Sequence, residues 1–173
     1  MIQKPYENEY LPLAKKYIDL FTEEDVITVL ERQKELTSQL ISSLTEEQGT
    51  YRYEQNKWSI KEVIGHISDV ERLWNYRILR IARGDVGELS GYDRDRFVEY
   101  SGHHNIGIVN VLNDYKAVRD SSLSLINNLP DDAFVRLGMF NNHDLSVRAC
   151  IYIIAGHELH HMNLIKTKYL SSY

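Results

Sequence analysis

Proline placement constrains this chain more than any other feature. The three prolines stand at positions 5, 12 and 130, so no fixed-φ residue interrupts 13–129 or 131–173. A β-rich domain of 173 residues needs frequent turn residues, and nine glycines with three prolines do not supply them. Long helices are expected instead, and apolar residues recur at helical period in four stretches. The first runs Val26, Val29, Leu30, Leu36, Leu40, Leu44, with its start placed at Thr22 and Asp25 three residues on. The second runs Ile60, Val63, Ile64, Ile67, Val70, Leu73, Trp74, Ile78, Ile81. Ser59 and Glu62 form a capping box at its start, and Gly84 is the expected stop. The third runs Ile108, Val111, Leu112, Tyr115, Val118, Ser122, Leu125, Ile126, Leu129 and is closed by Pro130. The fourth, capped by Ser146, runs Val147, Cys150, Ile151, Ile154, His157, His161, Leu164, Ile165. A shorter helical piece is expected over 10–20, with Tyr10, Leu13, Tyr17 and Leu20 on one face. The reading is an all-α four-helix bundle with a short extra N-terminal helical segment, one domain over residues 1–173. Residues 84–104 form the longest connection, and a loop of that length in a bundle usually serves or covers a site.

Composition narrows the function. With 20 Lys+Arg against 25 Asp+Glu the net charge is −5, and no basic stripe is present to displace counterions from phosphates. No nucleic-acid partner is expected. The single cysteine, Cys150, excludes an internal disulfide and a cysteine-rich zinc cage. The stretch Met1–Glu9 is too polar for a secretory signal, and the longest apolar run, Ala149–Ala155, falls far short of the ~18 residues that span a bilayer. A cytoplasmic chain with no membrane partner is expected.

The histidines carry the chemistry. On the fourth helix the inward positions step 147, 150, 154, 157, 161, 164, and two of them are histidine. Spacing i,i+4 stacks His157 and His161 one turn apart on one face, where both can reach one metal ion. His66, on the flank of the second helix, is the third candidate. Gly65-His66 and Gly156-His157 each set a glycine before a candidate ligand inside a helix. An interior glycine costs roughly 0.5–1 kcal/mol relative to alanine, which makes sense where elements approach closely or a cavity is kept clear. His160 lies about 100° round the helix from His161 and is expected to point elsewhere. His103, His104 and His143 read as surface residues, and Cys150 reads as a small core residue.

His157-Glu158-Leu159-His160-His161 also matches H-E-x-x-H, in which the glutamate is the general base of a zinc protease. The positions where a metzincin carries glycine and a third histidine hold Leu164 and Thr167. Only twelve residues follow His161, too few for a distant third ligand on a later helix. A protease is not expected, and Glu158 reads as a solvent-facing helix residue.

Two longer segments resemble a known family. Residues 57–71, Lys57-Trp58-Ser59-Ile60-Lys61-Glu62-Val63-Ile64-Gly65-His66-Ile67-Ser68-Asp69-Val70-Glu71, and their continuation Tyr76–Asp85 resemble the second-helix motif of the DinB superfamily. Ala155–His161 resembles its last-helix H-x-x-x-H motif, and Pro130-Asp131 and Ser146–Ala149 extend the likeness. The resemblance implies a four-helix bundle with a three-histidine divalent-metal site, zinc or nickel, on His66, His157 and His161. It also implies a role for Asp69, which recurs in the family's H-x-x-D pattern, in orienting a ligand ring or taking a proton; by itself Asp69 reads equally as a helix-surface carboxylate. His161-Met162-Asn163-Leu164 departs from the family's common H-R-G-Q continuation. Tyr92 and Asp93, in the long loop, are expected to line the site mouth and bind substrate.

Family members include bacillithiol S-transferases, mycothiol-dependent maleylpyruvate isomerases and proteins described as metal-dependent hydrolases. Three readings are therefore carried forward. The first is transfer of a low-molecular-weight thiol to a small electrophile. The second is metal-dependent hydrolysis of a small molecule. The third is a non-catalytic, homodimeric metal-binding protein of the stress response.

Overall fold

The computed structural model describes residues 1–21, 25–85 and 87–171. Two short 3-10 turns, Glu7–Glu9 and Pro12–Ala14, lead into the one-turn helix α1, Lys15–Ile18. The bundle then begins with α2, Val26–Ser42, and the short α3, Glu46–Thr50. Helix α4 spans Ile60–Ala82. Strand β1, Glu88–Leu89, and helix α5, Arg94–Ser101, occupy most of the long connection. Helix α6 spans Ile108–Asn127. A hairpin of β2, Leu137–Phe140, and β3, His143–Ser146, precedes α7, Val147–Leu164, which runs into one π-helical turn, Ile165–Tyr169. The main contacts set α4 against α6 and α7, and α2 against α6 and α7. Helices α2 and α4, consecutive in the bundle, therefore stand at opposite corners, as do α6 and α7.

The punctuation acts as its chemistry dictates. Ser59 accepts from the Glu62 N–H while the Glu62 carboxylate accepts from the Ser59 N–H, closing the capping box of α4. Gly84 stops that helix at φ 81°, in the left-handed region. Ser146 caps α7 through the Ala149 N–H. Gly107 has no side chain to cap α6, so Glu46 of α3 reaches across and accepts from the Ile108 N–H at 2.8 Å. The expected start of the first helix at Thr22 lies outside the described residues. Helix α2 begins at Val26 after Asp25, whose carboxylate accepts from the Ile2 N–H rather than from its own helix.

Several expectations need correction. The inward face of α2 is Val26, Val29, Leu30, Gln33, Thr37 and Ile41, whereas Leu36 is 52% exposed. Two polar inward residues rotate the true seam away from the apolar count. The N-terminal helical piece is shorter than 10–20, because Pro12 starts a new turn; its buried residues are Tyr10, Ala14 and Ile18, while Leu13 and Leu20 are exposed. The helical bundle itself is as expected and carries one addition, a small sheet of β1, β2 and β3 in that order. Asn141 and Asn142 make its hairpin turn, both at positive φ (51° and 60°), the type I′ geometry that asparagine tolerates. Gly138 of β2 lies so close to Ile81 that a Cβ there would come within 2.7 Å of it. Another correction, Glu158, belongs to the interior described next.

Candidate metal centre

Helix α7 is buried on every side from Val147 to Glu158. The N-terminal segment and the hairpin cover the face that a simple bundle would leave wet, so Glu158 is not solvent-facing. It is 1% exposed. Its Oε1 accepts from Thr37 of α2 and Tyr115 of α6, each at 2.7 Å, and its Oε2 accepts from Arg119 at 2.5 Å. Arg119 also grips Glu71 of α4 through Nε and Nη2, both at 2.8 Å, and donates Nη1 to the Leu30 carbonyl of α2. One guanidinium thus joins all four bundle helices. Its two carboxylate neighbours hold its pKa well above the ordinary arginine value despite burial that opposes the charge. Glu158 is consumed by this ion network, which removes the general base an H-E-x-x-H protease requires.

His66 of α4 and His157 and His161 of α7 converge beside that network. Each offers one ring nitrogen, and the three lie within 4.8 Å of one another. His66 Nε2 and His157 Nε2 are 3.2 Å apart. All three rings are less than a tenth exposed. Burial pushes the His66 pKa down to about 4 and the His161 pKa to about 3, and drives His157 well below its usual value. Neighbouring cations and rings add to this, with Arg94 acting on His66 and His66 on His161. The imidazoles are therefore neutral at pH 7, with lone pairs free to coordinate.

The donor set fits a divalent ion. Zinc–nitrogen bonds of 2.0–2.1 Å at tetrahedral angles set ligand nitrogens about 3.3 Å apart, close to the His66–His157 separation. His161 Nδ1 is buried and has no hydrogen-bond partner among the described residues. A buried polar atom left without a partner costs roughly 1–3 kcal/mol, so this ring is held at a cost that hydrogen bonding within the protein does not offset.

The two glycines before ligand histidines are recesses. A Cβ on Gly65 would meet the His103 ring at 2.2 Å, and one on Gly156 would meet the Tyr17 carbonyl oxygen at 2.4 Å. Close approach explains both, and neither partner belongs to another bundle helix. His103 is accordingly buried against α4 rather than on the surface, with its Nδ1 unpaired. His104 and His143 are exposed, and so is His160, which stays outside the cluster while its ring touches Tyr17 and His161. Cys150 is fully buried, and burial pushes its thiol up to about 12.

The long connection reaches the pocket beside His161, through residues other than Tyr92 and Asp93. Arg94 and Asp95 of α5 line a pocket of about 300 Å³ with Trp58, Tyr53, Lys57, His160, His161 and Tyr169. Arg94 stacks over Trp58, whose ring lies 4.8 Å from that of His66. Asp93 caps α5 and lines a separate groove of about 740 Å³ with Asp69, Phe97 and Tyr100. Tyr92 packs on Phe97 and the core. Asp69 hydrogen-bonds Arg72 at 3.3 Å and makes no hydrogen bond to a ligand imidazole. Burial raises its pKa. Among the described residues, no helix is long and apolar enough to cross a membrane.

Four core helices and a buried three-histidine cluster between α4 and α7 define the class of protein, a helical bundle with an interior imidazole site. The family follows from direct comparison. Residues 29–165 match the model of the DinB superfamily, and the chain belongs to that superfamily. Among solved structures it is similar to YfiT from Bacillus subtilis, a probable metal-dependent hydrolase with an unusual four-helix bundle topology. That match has 18% identity and a TM-score of 0.74 over 95% of this chain and 90% of that one. It is also similar to a mycothiol-dependent maleylpyruvate isomerase, with 11% identity and a TM-score of 0.68 over 86% of this chain and 62% of that one. At such identities the likeness is one of fold. No curated protein matches the chain.

Proposed function

We propose that this chain is a metal-dependent enzyme that transfers a low-molecular-weight thiol to a small electrophile, with His66, His157 and His161 holding the ion. The observation that carries the reading is the convergence of three neutral, buried imidazoles with one nitrogen left unpartnered. A divalent ion there would supply positive charge that favours ionisation of a thiol or a water near neutral pH. The chain's own residues do the rest. Trp58, Tyr53 and Tyr169 give the pocket aromatic walls, while Lys57 and Arg94 line it with cations. Cys150, buried and held protonated, is no nucleophile, so the attacking group comes from outside the chain. The similarity to a mycothiol-dependent isomerase supports thiol chemistry.

Hydrolysis of a small molecule is the second reading, favoured by the likeness to YfiT across almost the whole chain. One assay separates the two. Metal-loaded protein is presented with an epoxide and a haloalkyl probe together with glutathione, cysteine, coenzyme A or bacillithiol, and in parallel with ester and amide probes. Thiol transfer predicts metal-dependent adduct formation that survives Cys150→Ser and collapses in His157→Ala. Metal-dependent ester or amide cleavage with no adduct would transfer the assignment to a hydrolase.

A further inference from the structure

Histidine χ2 is broad and roughly two-fold, so the plane of a ligand ring is set by what packs against it. Two rings of the cluster have an aromatic backing. His66 is backed by Trp58, which lies within the family-matched residues. His157 is backed edge-on by Tyr17, with ring centroids 5.7 Å apart and planes at 75°. Tyr17 precedes the matched region, which begins at residue 29. Tyr17 therefore reaches the site from a segment outside the residues that match the family model.

That segment is fastened down. Tyr152 donates its hydroxyl to the Ile2 carbonyl at 3.2 Å, and Lys4 donates to the Phe21 carbonyl at 2.9 Å. The Glu9 carboxylate pairs with Arg148 in the first turn of α7, where Arg148 Nε donates at 2.7 Å. Helix α1 then settles into the recess at Gly156, against which the Tyr17 backbone itself lies. Because the neighbour is backbone, it cannot swing aside as a side chain would. The Tyr17 hydroxyl makes no hydrogen bond among the described residues, so the ring edge is what it contributes. The same ring touches His160, and Lys16 stands over it at 4.8 Å.

We infer that Tyr17 is a positioning residue of the histidine centre, holding the His157 imidazole in the plane from which it coordinates; the inference rests on the metal reading above. Tyr17 touches no reacting atom and acts through His157. Groups that orient a ligand ring typically change metal affinity 10–100-fold, and an edge contact without a hydrogen bond belongs at the lower end.

The test titrates the full-length apo protein with cobalt(II), reading affinity by competition and ligand geometry from the visible absorption bands. Tyr17→Phe keeps the ring edge and is expected to match wild type in both. Tyr17→Ala and the bulkier Tyr17→Leu are expected to bind about tenfold more weakly, with altered bands. Wild-type affinity and an unchanged spectrum in Tyr17→Ala or Tyr17→Leu would overturn the inference, even if apo stability fell, because packing alone would then explain the residue. Tyr17→Phe behaving like Tyr17→Ala would overturn it as well. A wild-type protein that binds no cobalt would instead overturn the metal reading, and any role for Tyr17 at a metal with it.

Discussion

Glu71, Arg119 and Glu158 bury three charges, and protein groups meet them all: each carboxylate oxygen accepts at least one hydrogen bond, and the guanidinium donates to both acids and a carbonyl. His66, His157 and His161, on the same helices α4 and α7 as Glu71 and Glu158, are also buried, yet among the described residues they share one nitrogen–nitrogen contact and leave His161 Nδ1 without a partner. Buried polar groups are normally paired, so the contrast separates a cluster that holds helices together from one that awaits a ligand. The two differ in what removal should do. Taking a member from the first strands charge in the core, whereas taking one from the second removes a polar atom that had little to lose.

Four predictions break or sharpen that contrast. The largest effect is expected for Arg119→Met, which leaves two buried carboxylates uncompensated and should cost about 3–5 kcal/mol in denaturant unfolding. His66→Ala in the apo protein should cost well under half of that, because no charge is stranded; equal losses would erase the distinction. Second, zinc at a hundredfold over its dissociation constant should stabilise wild type by about 2.7 kcal/mol and leave His66→Ala, His157→Ala and His161→Ala unmoved. His160→Ala, His143→Ala and His103→Ala should still respond.

The third prediction concerns pH. The folded His66 pKa is about 4 and the unfolded value is about 6.5, so between these limits the unfolded chain binds more protons. Apo stability is therefore full above pH 6.5 and falls as pH drops toward 4, by about 2 kcal/mol at pH 5 from His66 alone. Urea midpoints at pH 8, 6 and 5 measure this. A flat profile, or one that rises on acidification, would contradict the neutral buried cluster. The smallest effect is expected for Thr37→Val, which removes one of three donors to Glu158 while keeping shape, and should cost about 1 kcal/mol with zinc affinity unchanged.

The helices and the three histidines were legible because their signals are local. The Ser59–Glu62 box, the Ser146 cap, Gly84 and the i,i+4 pair on α7 are each decided within a turn or two of chain. Glu158 was misread because periodicity assigns it to the face away from His157, and the assumption followed that this face is wet. The apolar run Ala149–Ala155, which goes right round the helix, was the available warning, since a helix apolar all round is buried. The hairpin is not legible from glycine and proline, because its turn is Asn141-Asn142, which carries the type I′ signal. The partners of Tyr17 and the burial of His103 were not legible. Their roles depend on which segment folds back into the Gly156 and Gly65 recesses, and no local rule encodes that.

The central claim is that the unpartnered cluster is a metal centre. Its most direct test is elemental analysis of protein purified without a chelator or an affinity tag that binds metal, with the three single histidine variants alongside. The account predicts close to one divalent ion per wild-type chain, lost in each of His66→Ala, His157→Ala and His161→Ala while helicity is retained. Metal-free wild type that also takes up no zinc or nickel on dialysis, or full occupancy in His66→Ala, would contradict it.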